Sequence, residues 1–151
     1  MKIIVDADAC PVKDIIETVA KELKIPVIMM IDTSHILTSD YSEIVTVSKA
    51  PDAVDFAVIN RAAKGDIIVT QDYGVAAMAL GKGAYAIHQN GTWYTNENIE
   101  TMLMTRHLSK KAVRSNKKHH IKGPKKRTKE DDIHFETSFR KLCQQYQNEI
   151  H

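Results

Sequence analysis

Short apolar runs alternate with amphipathic stretches along the first hundred residues, and this alternation limits the fold more than any other feature. Apolar residues three and four positions apart, the spacing of an amphipathic helix, separate runs rich in Ile, Val and Ala. Strands joined through helices form a parallel sheet covered by helices on both faces. The sequence therefore predicts an α/β three-layer sandwich with a mainly parallel, five-stranded sheet. The predicted strands are Lys2–Val5, Pro26–Ile31, Ile44–Val47, Asp66–Thr70 and Ala84–Ile87.

The length of 151 residues fits one domain, which we place at 1–151. The turn signal Asn90-Gly91 favours a hairpin into residues 92–94. A helix is predicted from Asn96 towards Arg106 or beyond, followed by a basic, flexible segment over 107–129. Thr128 and Asp131 have the spacing of a capping box and predict a C-terminal helix over 130–148.

Charge is distributed unevenly, although the net charge is only +2. Residues 1–100 contain 14 acids and 8 Lys or Arg, whereas residues 101–129 contain 11 Lys or Arg and no acid. Such a strip favours contact with phosphates, with binding that weakens steeply as salt rises. A solvated linker is the alternative, and the strip has no aromatic residue for base stacking. The candidate nucleic-acid contacts are Lys110, Lys111, Arg114, Lys117 and Lys118.

The cysteine count and the hydropathy pattern indicate a cytoplasmic protein. Cys10 and Cys143 lie far apart and predict reduced thiols rather than a disulfide framework. No apolar run reaches the roughly 18 residues that a membrane span needs, so we expect no membrane association. An acid at Asp6 comes too early for a signal peptide.

Aspartates follow the predicted strands at one edge of the sheet. Asp6 and Asp8 follow the first strand, Asp55 lies in the first turn of the helix after the third, and Asp72 follows the fourth. Ligands of open parallel sheets bind beyond the carboxyl ends of the strands. Carboxylates brought together repel one another and either share protons or hold a cation. Oxygen ligands without a His or Cys cluster favour Mg²⁺ or Mn²⁺.

A single aspartate after a strand is more often a helix cap or a loop residue. Asp52 and Asp66 fit that interpretation, Asp52 as a cap and Asp66 at the opposite end of its strand. Three separate chain segments that all supply acid are harder to explain as caps, because Ser or Thr would serve equally well.

Three motifs carry a family resemblance. Residues 3–12 (IIVDADACPV), 51–55 (PDAVD) and 65–73 (GDIIVTQDY), together with Gly123-Pro124 and the terminal helix, closely resemble the uncharacterised bacterial YaiI/YqxD family. That family is similar to PIN-like domains, which implies a PIN-like fold and a nuclease. Asp6, Asp55 and the Thr70-Gln71-Asp72 turn match acids of PIN ribonucleases, and Asp8 resembles the double-acid variant of related nucleases. A PIN glutamate has no clear counterpart, since Glu17 and Glu22 fit surface positions equally well.

The resemblance implies a metal-dependent nuclease that prefers RNA to DNA and that could form a homodimer. One or two Mg²⁺ or Mn²⁺ ions held by Asp6, Asp8 and Asp72 would polarise a phosphodiester and acidify a bound water. Asp55 would hold a second metal or orient that water. The catalytic set is therefore Asp6, Asp8, Asp55 and Asp72.

Two other functions are kept open, and whether the protein is an enzyme is not decided by its sequence. A PIN-like fold could bind RNA without turnover. The strand followed by Asp6-Ala7-Asp8 also resembles haloacid-dehalogenase phosphatases, in which the first Asp attacks phosphate. That class expects an acid pair after a later strand, whereas Gly65-Asp66 precedes the fourth strand.

Overall fold

The computed structural model of the protein describes residues 1–115 and 126–150, with only the backbone described for 106–115 and for Ile150. The strands are β1 (Ile3–Asp6), β2 (Val27–Asp32), β3 (Glu43–Val47), β4 (Ile67–Val69), β5 (Tyr85–Ile87) and β6 (Trp93–Tyr94). The helices are α1 (Lys13–Leu23), α2 (Ala53–Arg61), α3 (Tyr73–Gly81), α4 (Asn96–Ser115) and α5 (Lys129–Gln147), with a 3₁₀ turn at Asn148–Ile150.

The strands form one sheet in the order β3-β2-β1-β4-β5-β6. All neighbouring strands are parallel except β5 and β6, which pair antiparallel. The predicted three-layer α/β fold with a mainly parallel sheet is confirmed. The sheet has six strands rather than five, because the hairpin after Asn90-Gly91 adds the short β6 at one edge.

Alternate side chains of β1 enter two separate cores. Ile3 and Val5 pack with side chains of α1 and α5, whereas Ile4 packs with side chains of α2, α3 and α4. These three of the four residues of β1 are fully buried, as a strand between two helical layers requires. None of the described helices is long and apolar enough to cross a membrane.

The two helices of the C-terminal part of the chain begin within one residue of their predicted starts. Helix α4 continues to Ser115, so the basic segment 107–129 starts inside a helix, and residues 116–125 lie outside the described residues. Thr128 and Asp131 form the predicted capping box at the start of α5. Phe135, Phe139 and Leu142 bury the inner face of α5 against the sheet.

Asp66 lies at the amino end of β4, opposite the acids that follow the strands, as predicted. Asp66 is 4% exposed, and its carboxylate accepts hydrogen bonds from the backbone N–H of Lys2 at 3.1 Å and of Ala63 at 2.9 Å. The ammonium group of Lys2 lies 2.6 Å away. Asp66 therefore ties β1 to the start of β4 and has a structural role.

We expect Asp66→Asn to lower the free energy of unfolding by about 2 kcal/mol, because one carboxylate oxygen is replaced by an amide donor that faces other donors. Urea denaturation measures the change. Asp40→Asn is the matched control, because the Asp40 side chain is 92% exposed and its ion pair with Lys21 is long, at 3.6 Å. Equal midpoints for the two variants would contradict the structural role of Asp66.

Candidate functional site at the carboxyl ends of β1 and β4

The order in which the chain adds strands to the sheet reverses between β1 and β4, although these two strands are parallel. From β1 the chain first builds β2 and β3 on one side, and it then returns to place β4 and β5 on the other. In doubly wound sheets the crevice outside the carboxyl ends of two such strands is where ligands bind. Asp6 is the last residue of β1, and Thr70 and Asp72 directly follow β4. Two of the predicted acids, Asp6 and Asp72, therefore lie at the topological switch point.

Thr70 joins Asp6 to the loop that carries Asp72. The Thr70 hydroxyl donates to Asp6 Oδ2 at 3.2 Å and accepts the backbone N–H of Asp72 at 3.0 Å. The Tyr94 hydroxyl donates to the Thr70 carbonyl at 3.1 Å, and Thr70 is buried. These bonds hold the two acidic segments in a fixed relation.

Asp72 is also the N-cap of α3. Its Oδ1 accepts hydrogen bonds from the backbone N–H groups of Gly74 at 2.8 Å and Val75 at 3.1 Å. The cap orients the carboxylate and stabilises its negative charge next to the positive end of the helix dipole. The alternative interpretation of such an aspartate as a helix cap is therefore correct for Asp72, and the same residue lines the cavity described below.

The surroundings of Asp6 disfavour the ionised form of its carboxyl group. The pKa of its carboxyl is raised to about 6, chiefly by burial and further by the negative charges of Asp55, Asp8 and Asp72, while the Thr70 hydrogen bond opposes the rise. The three other predicted carboxylates thus lie close enough to Asp6 for their charges to act on it. Ionising Asp6 at neutral pH costs free energy in the absence of a cation.

A cavity of about 480 Å³ opens beside Asp6 and Asp72, with Gln71, Tyr73 and His88 as its other lining residues. A larger cavity of about 570 Å³ lies at the amino end of β2, among Lys21, Lys24, Tyr41 and others. We assign the site to the smaller cavity, because the predicted acids lie at the carboxyl ends of the strands and not near the larger one.

His88 brings a neutral imidazole to this cavity. Its Nδ1 accepts the backbone N–H of Asn90 at 3.0 Å, which leaves the proton of the neutral ring on Nε2. Burial lowers the pKa of His88, and the positive charge of Arg127 lowers it further. The Arg127 guanidinium is held by Asp132 at 2.6 Å and donates to the carbonyl of Gln89 at 3.0 Å. One cation of the basic segment is thus anchored next to the His88 loop.

A second cluster lies beside the first and was not predicted. Asp8 Oδ2 accepts the backbone N–H of Asp32 at 3.3 Å. His35 Nδ1 lies 2.9 Å from Asp8 Oδ1 and 3.1 Å from Asp32 Oδ1. Asp32 is the last residue of β2 and directly follows the predicted strand Pro26–Ile31, as Asp6 directly follows Lys2–Val5, so the rule that located Asp6 applies equally to Asp32.

Several other candidates have structural contacts. Asp52 occupies the N-cap position of α2, but its side chain makes no capping bond, so the predicted capping role is wrong; its backbone is left-handed, with φ 64°. Glu17 accepts hydrogen bonds from Ser39 and Ser42, and Glu22 pairs with Arg140. Both glutamates are therefore engaged in contacts of their own.

The predicted nucleic-acid contacts cannot be located at side-chain level. Lys110, Lys111 and Arg114 lie on the backbone of α4, where side chains are not described, and Lys117 and Lys118 lie outside the described residues. Cys10 is buried, and burial raises the pKa of its thiol. Neither Cys10 nor Cys143 forms a disulfide, as predicted.

The fold and the site define a doubly wound α/β protein with an acidic site at its switch point. The chain belongs to the YaiI/YqxD family, because the family described as "Uncharacterized BCR, YaiI/YqxD family" matches residues 4–145. It is similar to the UPF0178 protein of Clostridium acetobutylicum, with 63% identity over 142 residues that cover 94% of this chain and 96% of the relative. A UPF0178 protein of Lachnoclostridium phytofermentans is 64% identical over 143 residues, covering 94% of this chain and 96% of the relative. Another from Natranaerobius thermophilus is 45% identical over 132 residues, covering 87% and 89%. No solved structure matches the chain.

The raised pKa of Asp6 predicts that Asp6→Asn stabilises the metal-free protein at pH 8. The stability associated with a raised carboxyl pKa is present below the unfolded value of 3.8 and is lost as pH rises through about 6. We expect the variant to gain about 2 kcal/mol at pH 8. The gain should vanish near pH 4, where the wild-type carboxyl is protonated in the folded state. Urea denaturation at both pH values, with chelator present, measures the difference.

Asp52→Asn is the control for this experiment, because Asp52 is exposed and asparagine tolerates its left-handed backbone. An Asp6→Asn variant that is less stable than wild type at pH 8 would show that Asp6 is not under electrostatic strain.

Proposed function

We propose that the protein is a divalent-metal-dependent nuclease that hydrolyses phosphodiesters, with RNA preferred to DNA. The observation that carries the proposal is the convergence of Asp6, Asp8, Asp55 and Asp72 on the switch point, where the three other charges all act on Asp6. Several carboxylates held close together are characteristic of functional sites, since a fold gains no stability from their mutual repulsion.

The donor set fits Mg²⁺ or Mn²⁺. Asp6, Asp8 and Asp72 offer hard oxygen atoms, and Thr70 and the α3 N-terminus fix two of these carboxylates in place. A bound divalent cation would polarise the phosphodiester, stabilise its developing charge and make a water molecule more acidic. It would also favour the ionised form of Asp6, whose pKa is otherwise raised to about 6 by burial and by the neighbouring carboxylates.

The remaining side chains have roles that follow from their charge and protonation. Asp55, close enough to Asp6 to raise its pKa, can accept a proton from the attacking water or hold a second ion. His88 lines the cavity as a neutral ring and can donate its Nε2–H to a phosphate oxygen. In this scheme no side chain acts as the nucleophile.

The basic segment supports a polyanionic substrate rather than a small phosphate ester. The 11 Lys or Arg of residues 101–129 suit contact with several phosphates, and Arg127 places one such charge beside the His88 loop. The resemblance of the aspartate motifs to PIN ribonucleases favours RNA. The haloacid-dehalogenase alternative loses support, because Asp66 is engaged by Lys2 at the far end of β4.

We expect the purified protein to cleave labelled RNA with Mg²⁺ or Mn²⁺ and not with chelator. Asp6→Asn and Asp72→Asn should each reduce cleavage on the order of a hundredfold, since each removes charge stabilisation worth several kcal/mol. Asparagine at position 72 can still cap α3, so the variant tests the charge rather than the fold. Asp52→Asn, an exposed acid before α2, is the matched control and should cleave normally.

Other outcomes would overturn the proposal. Salt-sensitive RNA binding without cleavage, unchanged in Asp6→Asn, would identify a binding module. Turnover of p-nitrophenyl phosphate with intact RNA and DNA would identify a phosphatase. Cleavage that survives both substitutions would show that any activity lies elsewhere or comes from a contaminant.

A further inference from the structure

The loop after β2 folds a histidine back onto two carboxylates at the sheet edge. Asp6 pairs with Met30 in the parallel register of β1 and β2, so Asp8 and Asp32, each two residues further on, lie level with each other. Asp32 Oδ1 accepts the backbone N–H of Ser34 at 2.7 Å, and the Asp32 carbonyl accepts that of His35 at 3.2 Å. This turn is what brings the His35 ring between the two acids.

The distances within this cluster match those between ligands of one metal ion. His35 Nδ1 is 2.9 Å from Asp8 Oδ1 and 3.1 Å from Asp32 Oδ1. Adjacent ligands of an octahedral ion with bonds of about 2.1 Å are about 3 Å apart. The three ligand atoms all lie within 4.8 Å of one another. The cluster therefore has the spacing of adjacent coordination positions before any ion is bound.

Asp8 Oδ1 supplies a separate reason to expect a ligand. This oxygen is buried from solvent and accepts no hydrogen bond from the described residues. His35 Nδ1 lies close to it, but the hydrogen-bonding contacts of this nitrogen are with Asp32 Oδ1 and with the Ser34 hydroxyl at 3.2 Å. A buried carboxylate oxygen without a donor costs free energy that a cation would offset.

We propose that Asp8, Asp32 and His35 form a second cation site, which takes a first-row transition-metal dication such as Mn²⁺, Co²⁺ or Ni²⁺. Imidazole nitrogen discriminates in favour of these ions and against Mg²⁺, which prefers oxygen ligands. The His35 side chain is 55% exposed, so one side of the site is open to water or to a ligand. The site is distinct from the all-oxygen site of the proposed nuclease, and only Asp8 belongs to both.

Binding of Ni²⁺, followed by calorimetry in excess Mg²⁺, tests the site without any measurement of activity. Wild-type protein should bind one Ni²⁺ more tightly than its other histidines do. His35→Asn should weaken this event at least about tenfold, a loss typical of a disturbed metal site. His134→Asn is the matched control, because His134 is another exposed histidine, located on α5. This control should bind Ni²⁺ as wild type does.

Asp32→Asn provides a second variant, because asparagine can keep the turn at Ser34 while the ligand charge is lost. Far-UV circular dichroism and the urea midpoint confirm that each metal-free variant is folded. Ni²⁺ binding that is equal in wild type, His35→Asn and Asp32→Asn would overturn the proposal. Asp6→Asn should keep the Ni²⁺ site while losing RNA cleavage, so failure of this inference can be distinguished from failure of the proposed nuclease.

Discussion

Burial of β1 on both faces is the constraint on which the rest of the structure depends. Ile3, Ile4 and Val5 have no exposed surface, so the strand must lie between two helical layers with neighbours on both sides. Its register with β2 and with β4 follows from this central position. Asp6 follows these three residues as the first residue of β1 that is only partly buried, and it lies at the switch point. The position of the site is therefore a consequence of where the apolar part of β1 ends.

The clustered carboxylates destabilise the folded state, whereas the apolar core stabilises it. Burial and three neighbouring carboxylates disfavour ionised Asp6, while the Thr70 hydroxyl and the capping bonds of Asp72 hold the acids in place. Folding tolerates this conflict because packing over the whole sheet is worth much more than the repulsion at one edge. Carboxylates that repel one another in this way are expected at functional sites. Most substitutions that would stabilise the fold at such a site would also remove charge that the function needs. A cation would resolve the conflict and couple metal binding to stability.

Patterns with a fixed period were predictable from the sequence, and contacts made by irregular turns were not. The strand ends located Asp6, Asp8 and Asp72 because alternating elements define one functional edge. Asp32 directly follows its predicted strand, as Asp6 does, and was predictable by the same rule, although it was not named. His35 was missed because its approach to Asp8 depends on a turn at Asp32, which has no periodic signal. The hairpin into residues 92–94 was predicted from its turn and is confirmed by β6, but that strand has only two residues, too few for an alternation pattern, and it was not counted in the predicted sheet.

The most direct test of the central claim is the location of Mn²⁺ in crystals of the wild-type protein, by anomalous diffraction. The account predicts an ion bonded to the carboxylates of Asp6 and Asp72, at the carboxyl ends of β1 and β4. Loss of that peak in crystals of Asp6→Asn would confirm the assignment. Well-ordered carboxylates at this edge without a bound ion, in crystals that hold Mn²⁺ elsewhere, would contradict it and would leave the convergence of the four aspartates without a metal-binding role.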